Sequence, residues 1–466
     1  MSFRSVLLAA ALSVSPAAAI AQTLTPAESA AIDSLVTTTL AKTGTPSASI
    51  AVVRGGRIVL AKAYGKQSET GGSPRADAPY QIASVSKQFT AAALLLLEDD
   101  GKLSLDDTVA KYLPGISGGD TITLRQLLSH TAGLQDYWPQ DYSFKAMATP
   151  VEPQAIVDRW AKKPLDFAPG TQWQYSNTGY VVAGMIVEKV AGQPLLSFLQ
   201  RRIFAPLGMT AVDQDIAIGG RYPTGYGRAA LGPMRPVVPA AHGWLFAAGE
   251  LAMSATDLAR WDIARMNRTI LPADDWAAQE TPVTLKDGTS TGYGLGVSVG
   301  GTGDRRVVAH SGEAVGFLTQ NVVYPDAKVA VVVLTNTWSS DAYRTIASGI
   351  AKTALPETPA TAADTAALAG ARTLLDQLIA GRPDRARLTD NAAYYFTNQV
   401  IADYRTSLGP LGRPTAFVQT GPGALRGGFV GRSYRVSFGD RAVAVSTFTE
   451  PGANGRFEQF LISPAD

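Results

Sequence analysis

The chain contains no cysteine in 466 residues. That excludes a disulfide framework, a thiolate nucleophile and any zinc–thiolate centre. Histidine is almost as scarce, with His130, His242 and His310 scattered along the sequence. With no His-Glu-x-x-His pair, neither a catalytic metal nor another cofactor is expected. Charge of one sign is also lacking: 41 Lys and Arg stand against 39 Asp and Glu, a net charge of +2, with the signs interspersed. A nucleic-acid partner normally needs a basic concentration, and none is present. Beyond the first residues no apolar run is long enough to cross a bilayer.

Those first residues carry Arg4, an apolar run from Val6 to Val14, and a small-residue stretch ending Ala19-Ile20-Ala21. The pattern is that of a secretory signal spanning residues 1–21, which predicts a bacterial periplasmic or secreted protein with no membrane span after signal removal. Hydrophobic residues make up 46% of the chain, enough for one large core and a smaller one.

Thr25-Pro26 before a helical pattern from Ala27 to Lys42 predicts a capped first helix. Ser49 to Arg54 and Arg57 to Tyr64 are strand-like and joined by Gly55-Gly56, a hairpin signal. The segment from Ser84 to Asp100 is apolar on nearly every side and predicts a buried helix. From about residue 104 to 290 helical patterns dominate. Strand signals return at Tyr293 to Val299, Arg306 to Ala309, Gly316 to Tyr324 and Val329 to Leu334, before a helix from about Ser340 to Thr353. The simplest architecture is α+β: an antiparallel sheet that pairs the early hairpin with the late strands, flanked by helices, the middle forming a large helical insertion. Residues 355–364, rich in Pro, Thr and Ala, predict a linker between a domain at 22–354 and a small α+β domain at 365–466. The latter has a helix from about Thr365 to Ala380 and strands at Ser433 to Phe438, Ala442 to Phe448 and Phe457 to Ile462. Its pattern loosely resembles the cone-shaped cystatin-like folds.

Ser84-Val85-Ser86-Lys87 places a hydroxyl and an amine three residues apart, on one face of a helix. A lysine stripped of water can take the proton of such a serine. Chance supplies a match like this about once in a chain of this length. Its weight comes from Tyr175-Ser176-Asn177, just before a helical segment, and His310-Ser311-Gly312, at a strand end. Together the three segments resemble the site motifs of the serine β-lactamase and penicillin-binding superfamily, in its Ser-x-x-Lys, Tyr-x-Asn and His-x-Gly form. Segments such as Leu127 to Leu134, Pro206-Leu207-Gly208-Met209 and Ser254 to Ala259 are similar to the branch of class C β-lactamases, D-aminopeptidases, DD-carboxypeptidases and related esterases. The resemblance extends over residues of about 27 to 353.

The resemblance implies that Ser84 forms an acyl-enzyme while Lys87 and Tyr175 relay protons, the Lys87 ammonium easing ionisation of the phenol. It implies that Asn177 contacts the acyl side of the substrate, with His310 and Gly312 in the binding cleft. Backbone N–H groups of Ser84 and Glu313 would form the oxyanion hole. β-Lactamases usually carry lysine where His310 stands, and an imidazole with a pKa near 6.5 is mostly neutral at pH 7. The expected substrates are therefore peptides containing D-residues, with cell-wall peptides, esters and β-lactams as alternatives. A non-turnover penicillin-binding sensor or scaffold is the reading outside enzymology, and the oligomeric state stays open.

Gly288-Thr289-Ser290-Thr291-Gly292 matches the nucleophile elbow of α/β-hydrolases, but a strand rather than a helix follows it, so Ser290 is not expected to react. His130 is assigned to a helix terminus and turn, and His242 receives no role. The aromatic segments Tyr137-Trp138 through Tyr142 and Trp244 to Phe246 are candidates for a pocket wall or for surface packing.

Overall fold

The computed structural model of the protein describes residues 23–138, 145–220, 222–302, 305–355, 362–421 and 423–465. The leader at 1–21, most of the linker and Tyr142 lie outside them. The chain divides into two compact units, one up to Pro356 and one from Glu357.

In the larger unit, α1 (Pro26–Thr43) opens with a capping box in which Thr25 and Glu28 satisfy each other's backbone N–H groups. The hairpin follows as β1 (Ser47–Arg54) and β2 (Arg57–Gly65), with Gly55 and Gly56 both in the left-handed region that a two-residue turn requires. The late strands are β3 (Ser298–Thr302), β4 (Arg305–Ala314), β5 (Phe317–Tyr324) and β6 (Val329–Thr335). They join the hairpin in one antiparallel sheet of order β2-β1-β6-β5-β4-β3, with Ile50 opposite Val333 and Asn321 opposite His310. The predicted strand from Tyr293 starts later: Tyr293 makes only a bridge to Ser298, and the Thr291 hydroxyl donates to the carbonyl oxygens of Val283 (2.8 Å) and Tyr293 (3.0 Å).

Every residue of β1 and β6 is buried. These strands read as continuous apolar runs because both faces of the sheet centre are covered. On one face lie α1 and α5 (Ala342–Ala354), through Ile32, Val36, Ile346 and Ile350. On the other lies the main core, which holds α2 (Lys87–Asp99), α3 (Asn177–Ala191) and α4 (Ala255–Asn267) from the helical insertion. All residues of α2 from Lys87 to Leu97 are buried.

The smaller unit packs α6 (Ala362–Ile379) and two further helices, α7 (Asp390–Tyr395) and α8 (Asn398–Leu408), with a five-stranded antiparallel sheet. Its core joins Leu374, Leu375, Leu378, Tyr434, Val436, Phe457 and Phe460. α7, α8 and the strand Ala416–Gln419 were not legible in the sequence. Their short segments bury few residues and so carry little periodicity. Among the described residues no single helix is long and apolar enough to cross a membrane.

Candidate active site

Ser84 lies in a single 3-10 turn, Ala83–Ser86, rather than in the first turn of the long helix, which starts at Lys87. Ala83, just before it, has φ of 49°, a left-handed conformation that costs a non-glycine residue about 1 kcal/mol or more. Surrounding structure holds the turn there. Ile82 N–H donates to Leu251 O (2.9 Å), Thr319 Oγ1 donates to Ile82 O (3.1 Å), and Leu251 N–H donates to Ser86 Oγ (3.2 Å). β4 presses directly against this turn. A Cβ on Gly312 would stand 2.1 Å from Ile82 O, so only glycine fits the third motif at this point. That approach puts Glu313 on the wall of the same cavity as Ser84.

Lys87 is fully buried, and its Nζ stands 3.0 Å from Ser84 Oγ, 2.8 Å from Asn177 Oδ1 and 2.6 Å from Ala248 O. None of these partners carries a charge. Burial therefore pulls the amine down to about 7, with the carboxylate of Asp136 opposing the shift. A neutral amine has two N–H donors and one lone pair. With the donors spent on the two carbonyl oxygens, the lone pair is left to face the Ser84 hydroxyl.

Asn177 is the first residue of α3 and not its cap, because Ser176 Oγ accepts the Gly179 N–H (3.2 Å). Its side chain is thereby free for Lys87 on one side and Asp136 on the other, where Nδ2 donates to Oδ2 (3.2 Å). Asp136 Oδ1 also accepts the backbone N–H groups of Asn177 (3.0 Å) and Trp138 (3.2 Å). Burial raises its carboxyl above the usual range, and those hydrogen bonds and Lys87 oppose the shift. Sequence reasoning missed Asp136. Its only signal was a position three residues beyond Gly133 in the Leu127 to Leu134 segment, which no local pattern ties to α3.

Tyr175 lines the cavity with Ser84, and its ring centroid lies 4.8 Å from Lys87 Nζ. The ionisation expected for this phenol is not favoured. Burial first, and the Asp136 charge after it, push its pKa well above the usual value, outweighing the lowering influence of the Ser84 hydroxyl. Behind Tyr175 lies His130, 4.1 Å away centroid to centroid, with Nδ1 accepting the Ser176 N–H (3.1 Å) and φ of 60°. The residue assigned to a turn is thus also the backing plate of the tyrosine. Burial, then the charge of Lys87, hold it neutral.

His310 differs from expectation as well. Burial, with the nearby Lys87 charge, lowers its pKa to about 4. Its Nδ1–H donates to Ser311 O (2.6 Å), which leaves Nε2 to accept from Tyr293 O–H (2.8 Å). Both ring nitrogens are taken, so the imidazole is a neutral, buried group packed 6.2 Å from the Tyr175 ring, behind the described lining of the cavity and not on it. Ser290 is exposed, bridged to Thr284, and has no part in this cluster.

The cavity over Ser84 has a volume of about 400 Å³. Trp138, Leu245 and Trp338 supply apolar wall, while Tyr137, Trp244 and Phe246 are buried packing. Its described lining includes two carboxylates, Asp136 and Glu313, and no Lys or Arg.

Fold and site together define a protein of the serine β-lactamase and penicillin-binding superfamily, in its D-aminopeptidase-like branch. The chain belongs to the Beta-lactamase family, whose profile matches residues 32–355. Penicillin-binding protein 4* of Bacillus subtilis is 28% identical over 317 residues, 62% of this chain and 67% of that protein. The D-aminopeptidase of Brucella ovis is 31% identical over 301 residues, 62% of this chain, and the match spans only 56% of its own length. Among solved structures, a D-stereospecific amidohydrolase from Streptomyces sp. superposes with a TM-score of 0.59 at 28% identity, over 69% of this chain and 97% of its own.

Proposed function

We propose that the protein is an exported serine hydrolase that cleaves amides of D-amino acids bearing a free amino group, through an acyl-enzyme on Ser84. The observation that carries the reading is the dry Lys87 amine, 3.0 Å from Ser84 Oγ and titrating at about 7. Lys87 takes the Ser84 proton as Oγ attacks the carbonyl carbon, and the backbone N–H groups of Ser84 and Glu313 receive the developing oxyanion. Tyr175 donates its phenol proton to the leaving amine as the C–N bond breaks and takes the proton held by Lys87 in exchange, so that it ends as a phenol and Lys87 as a neutral amine. Water then attacks the ester, releasing the acid and restoring Ser84. Asn177, held between Lys87 and Asp136, keeps its second amide N–H for the substrate.

The substrate class follows from charge. The Asp136 carboxylate on a described lining that includes no Lys or Arg attracts an ammonium and repels the carboxylate that a β-lactam or a C-terminal D-residue presents. The relatives named D-aminopeptidase and D-stereospecific amidohydrolase support the same class. The test is a panel of D-alanine amide, its N-acetyl derivative, an acyl-D-Ala-D-Ala peptide and a penicillin, each followed for product and for protein adduct by mass spectrometry. Turnover confined to the free amine, and lost in Ser84→Ala, is expected. Equal turnover of the N-acetyl compound would sink the ammonium argument, and an adduct on another residue would sink the site.

A further inference from the structure

His130 takes no part in the proton transfers, yet the chain accepts two costs to keep it. Its φ of 60° lies in the left-handed region, and its side chain is almost wholly enclosed. Nδ1 accepts the Ser176 N–H (3.1 Å), so the ring proton is on Nε2. That buried donor has no hydrogen-bond partner among the described residues. Its surroundings are aromatic: the rings of Tyr175, Tyr293, Tyr180 and Trp173 have their centroids 4.1, 4.9, 5.2 and 5.9 Å from that of the imidazole. The Tyr180 and Tyr293 hydroxyls donate elsewhere, to Leu128 O (2.6 Å) and His310 Nε2 (2.8 Å). Phenylalanine would fill such a box without an orphaned donor. What histidine adds is the acceptor at Nδ1.

That acceptor grips the chain on one side of Tyr175, and the carbonyl of the same residue grips it on the other. Gln174 N–H donates to His130 O (3.0 Å) and Ser176 N–H to Nδ1, so both residues flanking the phenol are tied to His130. Earlier in the same segment Gly170 N–H donates to Thr131 O (2.8 Å), which sets its register. The two rings lie at 33° to each other, a tilted stack that limits the plane the phenol can take. His130 is itself anchored, because Thr131 N–H donates to Gln126 O (3.0 Å) in the helix Leu124–Leu128. We propose that His130 is the positioning residue of Tyr175: through its carbonyl, Nδ1 and ring face it fixes the phenol where its proton reaches the leaving amine. The proposal rests on the reading of Tyr175 as the proton donor. A misplacement of about 1 Å in such a group costs about 100-fold in rate.

The test compares two substrates that differ only in the leaving atom, D-alanine p-nitroanilide and D-alanine p-nitrophenyl ester, on the full chain. The amine leaves only when it is protonated, whereas p-nitrophenolate is a stable anion and leaves without an acid. His130→Gly removes the ring and Nδ1 while relieving the left-handed backbone, and His130→Asn, which tolerates the same φ, restores an acceptor beside Ser176. Rates are taken per reactive Ser84, counted with a fluorophosphonate, so that unfolded molecules drop out. His130→Gly should lower kcat/KM for the anilide by about 100-fold and leave the ester nearly unchanged, and His130→Asn should recover about 10-fold of that loss. Tyr175→Phe should show the same selectivity. If it does, an undiminished anilide rate in His130→Gly, an equal fall on both substrates, or no recovery in His130→Asn would each overturn the positioning role alone. A Tyr175→Phe that lost both substrates equally would overturn the proton-donor reading, and the positioning role with it.

Discussion

Two cations are buried completely in the main core, one on α2 and one packed against it. Lys87 and Arg265 are each 0% exposed, and they are nearly neighbours, since Arg265 Nη2 donates to Oε1 of Gln88 (2.9 Å), the residue after Lys87. Their surroundings differ in one respect. Arg265 faces the Glu280 carboxylate (3.2 Å) and two amide oxygens, Gln88 and Gln279. Glu280 in turn binds Arg268 (2.8 Å) and Arg306 (2.7 Å). Burial works to raise its pKa, but these arginines win and hold it below the usual value. Burial pulls Arg265 down as well, but a guanidinium starts so high that it stays charged. Lys87 has only neutral acceptors in contact. A buried cation paired with a carboxylate is an anchor; the same charge given only carbonyls and a hydroxyl becomes a titratable base.

The comparison breaks most sharply at the base. Ser84→Ala and Lys87→Met should each lower kcat/KM by about 10³-fold or more. Lys87→Met should at the same time stabilise the fold. The native amine titrates near 7 and the unfolded one near 10.5, so the unfolded state binds more protons between those values and stability rises with pH across that window. The penalty is fully present below about pH 7. Thermal unfolding of Lys87→Met should therefore show its largest gain there, roughly 1–2 kcal/mol net of the lost hydrogen bonds, shrinking toward pH 10. Arg265→Met should do the opposite, costing about 3 kcal/mol in denaturant unfolding because it leaves Glu280 short of a partner, with the pH profile of activity unmoved.

Smaller effects sharpen the contrast. Asp136→Asn removes the one charge that holds Lys87 up, so the rising limb of kcat/KM against pH should move down by roughly 0.5–1 unit. His310 should contribute no inflection near pH 6.5. Its ring should stay neutral until about pH 4, as imidazole NMR would show, and an inflection at 6.5 that vanished in His310→Asn would count against that neutrality.

What spacing along the chain carries is what a turn or a helix builds locally. Ser84 with Lys87, the Thr25 cap, the Gly55-Gly56 hairpin and the buried runs of β1 and β6 were legible for that reason. Tyr175, Asn177 and His310 could be singled out only because their motifs occur in the order of a known family. The groups that tune the base were not legible at all. Ala248 offers a backbone carbonyl, which leaves no mark on residue type, and it lies 161 positions from Lys87. Asp136 reaches Asn177 across 41 positions. Expectations about ionisation failed for a related reason. Neither the half-buried setting of Tyr175 nor the double hydrogen bonding of His310 is written in the residues beside them, so ordinary pKa values were the only available guide.

The account rests on a neutral lysine at physiological pH, and the most direct measurement is the titration of Lys87 itself. In protein labelled with ¹³C at lysine Cε, the resonance that disappears in Lys87→Met should shift with an apparent pKa of about 7. A midpoint near 10.5 would mean that the amine stays an ammonium beside Ser84, and that it cannot be the base.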